Sequence, residues 1–160
     1  MISIDIICIG KLKEKYWQDA VLEYTKRLSP FCNFSVAELA EERLPGSPSP
    51  GDIARAISSE GARILERCSK GGMIIPMCIE GRELSSGGLA GKIQSAASNG
   101  TSKIHFVIGG SHGLSDAVKK RGDLRLSMSP MTFPHQLARV MLCEQIYRAF
   151  SIINGGKYHK

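Results

Sequence analysis

Four side chains near the C-terminus could handle a proton together with an anionic or aromatic ligand. Glu144 and Arg148 fall on one predicted helix, and Tyr158 and His159 fall in the terminal run Asn154–Lys160, NGGKYHK. An imidazole titrates near neutral pH and a guanidinium stabilises negative charge. A tyrosine ring offers a face for a nucleic-acid base, and Lys157 and Lys160 beside it can meet phosphates. The same seven residues also describe an ordinary frayed end. Arg139 and Arg148 share the helix but are about 180° out of phase at 100° per residue. They cannot both face one cleft of one subunit, and solvated helix charges are the usual fate of arginines.

Two loops could hold a ligand. Gly109-Gly110-Ser111-His112-Gly113 follows an apolar run, and Met128–Phe133, with Pro130 inside it, follows a second. Glycines there permit positive φ and close backbone approach. The first loop is neither GxGxxG nor a P-loop, since no Lys-Ser/Thr follows. No GxSxG elbow supports a serine hydrolase. His112, His135 and His159 match no metal-ligand spacing, and His105 lies inside a strand, so no metal site is expected. The five cysteines form no CxxC pair, and their odd number in apolar segments describes reduced, buried thiols.

The elements that must position these residues follow from periodicity. Strands are expected at Ile2–Ile9, from Phe34 to about Leu39, at Met73–Ile79, at Lys103–Ile108 and at Leu124–Ser127. Pro76 inside the third demands an edge or a bulge. Helices are expected at Lys13–Leu28, Asp52–Cys68, Ser86 to about Asn99, Ser115–Arg121 and from Pro134 to Phe150. Leu44–Gly51, LPGSPSPG, reads as an exposed loop. The alternation βαβαβαβαβα implies an α/β fold with a parallel sheet and helices on both faces. Ligands in such sheets bind beyond the carboxyl ends of the strands, where both loops fall.

The 160 residues fit one domain, residues 1–160, with no apolar run of membrane-spanning length and no leader, which implies a cytoplasmic protein. Charge is uneven. Residues 1–80 carry 10 Lys+Arg and 11 Asp+Glu, whereas residues 81–160 carry 11 and 4, so the net +6 arises in the half that holds both loops. A one-sided basic field suits RNA or DNA as well as an ordinary basic surface.

The segments IICIGKLKEKYWQDAVLEYTKRL, FVIGGSHGL and LSMSPMTFPHQLARVMLCEQIYRAFSIINGGKYHK together resemble the RlmH family over essentially the whole chain. These are SPOUT-superfamily methyltransferases acting on N3 of a pseudouridine in 23S ribosomal RNA. The resemblance implies a C-terminal trefoil knot, S-adenosylmethionine as cofactor and a homodimer with sites at its interface. By motif it places cofactor contacts at Met77, Gly110 and Met128, Ser129, Pro130, Met131, Thr132 and Phe133. It assigns RNA handling or catalysis to Arg148, Tyr158 and His159. On so short a chain, with no appended RNA-binding domain, the assembled ribosome is the expected substrate. His112 and Pro76 depart from the family pattern. A SPOUT enzyme acting on tRNA and a non-catalytic RNA-binding assembly module are the alternatives.

Overall fold

The computed structural model describes residues 1–68 and 70–160. Its elements are β1 (Ser3–Ile9), α1 (Lys15–Leu28), β2 (Asn33–Leu39), α2 (Pro50–Arg67), β3 (Met73–Glu83), α3 (Ser86–Ser98), β4 (Lys103–Ile108), α4 (Asp116–Arg121), β5 (Leu126–Ser127) and α5 (His135–Ile153). The five strands pair in the order β2-β1-β4-β3-β5, all in parallel. Both faces are covered, which is why the inner strands read as continuous apolar runs. Ile4, Ile6, Ile104 and Phe106 face α1, α3 and α5 through Leu28, Leu89 and Leu142. Ile7, Ile9, Ile74 and Val107 face α2 and α4 through Ile64 and Val118.

Helix starts follow capping chemistry. Ser49 opens α2, three residues before the expected first residue, Asp52. The Ser49 hydroxyl accepts from the Asp52 N–H at 3.1 Å, and the Asp52 carboxylate accepts from the Ser49 N–H at 2.9 Å. With Pro50 in the first turn this is a capping box. Ser85 and Ser115 cap α3 and α4 through the hydroxyl alone, which accepts from the Gly88 and Val118 N–H groups. Pro134 is the N-cap of α5, its carbonyl accepting from Ala138.

Pro76 lies within β3, which runs past the expected end at Ile79 to Glu83. Ile74 turns both its N–H and its carbonyl away from β4, toward Asp123. By strand alternation the missing N–H of Pro76 faces the same way. Pairing with β5 begins only at Met77, so the proline removes no ladder bond. The Gly122 backbone covers the ring, where a Cβ would meet Pro76 Cδ at 2.5 Å.

Periodicity on α5 picks out Leu137, Val140, Met141, Tyr147 and Phe150. The deepest apolar residues are instead Leu142, Cys143, Ile146, Ala149 and Phe150, because α5 packs against both α1 and α3. A helix enclosed on several sides shows no single apolar stripe. Arg139 is likewise no solvated charge. It is 2% exposed, and its guanidinium donates to Glu38 Oε2 at 2.7 Å and to the Gly10 carbonyl at 3.1 Å. It ties the first turns of α5 to the ends of β1 and β2. Among the described residues no helix is long and apolar enough to cross a membrane, and no three His, Cys, Asp or Glu side chains are grouped to hold a metal ion.

Candidate active site

A cavity of about 310 Å³ opens at the carboxyl ends of β3, β4 and β5. Its walls come from Met77–Glu80 of β3, the loop after β4, the loop after β5, Lys119 of α4, and His135 and Ala138 of α5. Of the expected cofactor contacts, Met77, Gly110, Met128, Ser129, Met131, Thr132 and Phe133 line it. Pro130 belongs to the same loop but is exposed and outside the lining. Cys78, Ile79, Glu80 and Lys119 line it without having been anticipated. The one signal for the first three is Gly81, since an isolated glycine in a strand often marks a bulge.

The loop after β4 owes its shape to its glycines. The Gly113 N–H donates to the Gly110 carbonyl at 3.0 Å, and Gly113 has φ +84°. A Cβ on Gly109 would lie 2.6 Å from the Gly113 carbonyl oxygen. Gly110 offers its backbone to the cavity, but a Cβ there would point behind the loop, to Ile9 at 3.1 Å and Glu60 Oε2 at 3.2 Å. A larger residue at 110 would therefore strain the loop from behind before reaching any ligand. The loop after β5 is held by its own serines: Ser127 donates to the Ser129 carbonyl, and Ser129 Oγ accepts from the Met131 N–H.

Helix α2 backs the first loop. Glu60 is 8% exposed, and its carboxylate accepts from the Glu42 N–H at 3.2 Å. Burial pushes its pKa up, against the opposing pull of that N–H and of Arg63. Neighbouring Gly61 packs against the N-cap of α4, where a Cβ would sit 2.2 Å from the Ser115 hydroxyl. Ser111 closes the arrangement by donating to Glu41 at 3.1 Å.

Arg148, Tyr158 and His159 come together in one cluster. Glu144 Oε1 accepts from Arg148 Nη2 at 2.6 Å and from the Tyr158 hydroxyl at 3.1 Å. The guanidinium lies 4.6 Å from the Tyr158 ring centroid and 3.4 Å from His159 Nδ1. Tyr158 meets Tyr147 edge-on at 4.9 Å. Gly155, with φ +67°, and a Gly156 N–H bond to the Ser151 carbonyl turn the chain back. The tail is therefore docked on its own helix. Ala138 at the cavity and Arg148 in the cluster are ten residues apart on α5, or about 15 Å at 1.5 Å per residue. No residue of the cluster lines the cavity of its own chain.

A doubly covered parallel sheet with a loop-walled, mainly apolar cavity at its strand ends defines a small-ligand-binding α/β protein. The family model described as "Predicted SPOUT methyltransferase" matches residues 2–159, and the chain belongs to the SPOUT methyltransferase family. It is 48% identical over 158 residues to the "Ribosomal RNA large subunit methyltransferase H" of Bacillus pumilus (strain SAFR-032), covering 99% of both chains. The same identity and coverage hold for a Methanococcus maripaludis (strain C5 / ATCC BAA-1333) protein named "Putative ribosomal RNA large subunit methyltransferase H". Among solved structures it resembles "The structure of a probable methylase family protein from Haemophilus influenzae Rd KW20", with a TM-score of 0.54 and 15% identity. That match covers 98% of this chain and 70% of the other, and it bears on the fold alone.

Proposed function

We propose that this protein is a cytoplasmic homodimer that methylates N3 of a pseudouridine in 23S ribosomal RNA, on the assembled ribosome, with S-adenosylmethionine as donor. Each chain is read as a single domain whose C-terminal segment is threaded as a trefoil knot. The neighbouring loops 109–114 and 128–133 on one cavity fit that threading. The relatives' names support the RNA substrate, and the basic C-terminal half supports a polyanionic partner.

The observation that carries the reading is the cavity. Its volume lies at the lower end of ligand pockets. Met77, Ile79, Leu114, Met128, Met131 and Phe133 give it apolar walls, and the glycine loop gives it approachable backbone groups. Those walls fit an adenine, an aliphatic chain and a cationic sulfur without a competing cluster of cations. When bound, S-adenosylmethionine supplies a methyl group already activated on a sulfonium. The loops hold the cofactor's place and exclude water, which leaves alignment as the main task of the protein.

The cluster on the tail suits the target base. The guanidinium can only donate, so its contact with His159 Nδ1 leaves the His159 Nε2–H as the ring's outward donor. Arg148 and His159 then offer two donors to a uracil ring that has lost its N3 proton, whose charge spreads onto the flanking carbonyl oxygens. The proton passes to solvent. Tyr158 supplies the stacking face and Glu144 orients both Arg148 and Tyr158. Because cavity and cluster are about 15 Å apart along α5, the cluster serves the cavity of the partner subunit.

The test is transfer of labelled methyl groups to assembled 70S ribosomes, free large subunits and tRNA, with mass mapping of the product nucleoside. Incorporation into large-subunit RNA of ribosomes, at one N3-methylpseudouridine, is expected. Labelling of tRNA instead, or no transfer despite bound cofactor, would replace this reading with one of its alternatives.

A further inference from the structure

The cavity wall carries an ion pair that methyl transfer itself does not require. Lys119 Nζ of α4 lies 2.5 Å from Glu80 Oε1 of β3. Backbone geometry fixes both partners. Met77 and Arg82 both register on Leu126 of β5, so the residues between them, 78–81, bulge out of the ladder. Gly81 permits the excursion, since a Cβ there would lie 2.7 Å from the Leu126 carbonyl carbon. A bulge re-aims side chains, and this one brings Glu80 to the cavity wall. Lys119 sits in the last turn of α4, where its carbonyl accepts from the Gly122 N–H and from Arg125 Nε, both at 3.2 Å. Its side chain is 23% exposed and that of Glu80 is 54% exposed. Lys119 and Arg125 both hold the Glu80 carboxyl below the usual carboxylate range. The other ionisable side chains on the wall are Cys78 and His135.

We propose that Lys119 and Glu80 form the subsite for the amino-acid end of the cofactor, Lys119 taking the α-carboxylate and Glu80 the α-ammonium. The proposal rests on the S-adenosylmethionine reading given above. A zwitterion entering between two opposite charges exchanges one ion pair for two. It leaves no charge desolvated and unpaired, the arrangement that burial penalises. The rest of the wall is apolar, backbone, or the side chains of Cys78, Ser111, Ser127, Ser129, Thr132 and His135, and offers the zwitterion no second acid–base pair. The pair therefore acts as a selector: a ligand with the same nucleoside and a 5′-sulfur but no amino acid leaves it closed and gains nothing from it.

Calorimetry on the intact dimer tests this with Lys119→Gln and Glu80→Gln, using S-adenosylmethionine, its decarboxylated analogue and methylthioadenosine, which lacks the amino acid. Each variant should weaken S-adenosylmethionine about five-fold, the upper end for a partly exposed ion pair. Methylthioadenosine affinity should stay unchanged in both. The decarboxylated analogue should feel Glu80→Gln and ignore Lys119→Gln. Equal losses for all three ligands, or none for S-adenosylmethionine, would overturn the subsite while leaving the cofactor in place. Failure of the parent protein to bind S-adenosylmethionine at all would overturn the cofactor reading and the subsite with it. Melting temperatures of the variants, expected within a few degrees of the parent, show that the comparison is made on folded protein.

Discussion

Replacing Arg139 with methionine keeps an unbranched apolar stem and removes the charge at a position 2% exposed. In the parent, the guanidinium meets Glu38 at 2.7 Å and the Gly10 carbonyl at 3.1 Å. The variant strips Glu38 of its ion partner and leaves it, among the described residues, the Leu12 N–H at 2.8 Å. Breaking a fully buried pair from one side costs about 3–5 kcal/mol. The Glu38 side chain is 34% exposed and can recover some hydration, so the expected loss is smaller, about 2–3 kcal/mol. In a protein of this size each kcal/mol moves the melting temperature by about 2–4 °C, so Arg139→Met should melt roughly 5–10 °C lower. Adding Glu38→Gln removes the stranded charge, and the double variant should regain part of the loss. Thermal and urea unfolding of the parent, both singles and the double give the coupling directly. Strictly additive losses, or a single variant within about 0.5 kcal/mol of the parent as for ordinary surface positions, would refute the reasoning.

Three further outcomes follow from the supports of the site. Gly61→Ala drives a methyl group at the Ser115 hydroxyl, so unfolding should cost about 1–3 kcal/mol less and S-adenosylmethionine should bind more weakly by calorimetry; unchanged affinity would detach α2 from the loop. Burial raises the folded pKa of Glu60, so its contribution to stability is present below the ordinary carboxylate pKa and is lost as pH rises through the folded value. Glu60→Gln should accordingly melt above the parent at neutral pH and match it in acid, whereas a pH-independent difference would contradict the assignment. Tyr158→Ala removes the Tyr147 contact, the Glu144 hydrogen bond and the Arg148 ring contact. Amide exchange in residues 155–160 should accelerate and methyl transfer should fall strongly, with the melting temperature nearly unchanged; protected tail amides would place the docking elsewhere.

Much of this architecture is legible in the sequence because it depends on neighbours along the chain. Ser85-Ser86 announces its helix as a capping pair, and the strand-helix alternation dictates parallel pairing. The loops at 109–113 and 128–133 stand out as glycine- and proline-bearing segments after apolar runs. What escapes depends on packing across the chain. Glu60 and Arg139 are charges that periodicity sends to solvent, yet each is buried against a partner 18 or more positions away. The Glu80–Lys119 pair needs a register shift between β3 and β5 that no local pattern encodes. Docking of Tyr158 needs a reversal at Gly155 and a receptor on α5, so a seven-residue tail read by itself looks frayed.

The most direct test of a methyl-transfer site shared between subunits is complementation in purified heterodimers. One subunit carries Thr132→Trp, which fills the cavity but keeps an intact tail. The other carries His159→Ala, which keeps an intact cavity. Each homodimer should be inactive on ribosomes, and the heterodimer should recover one working site, an intact cavity facing the intact tail of its partner. A verified heterodimer as inactive as its parents would contradict the shared site and put cavity and tail to work within one chain.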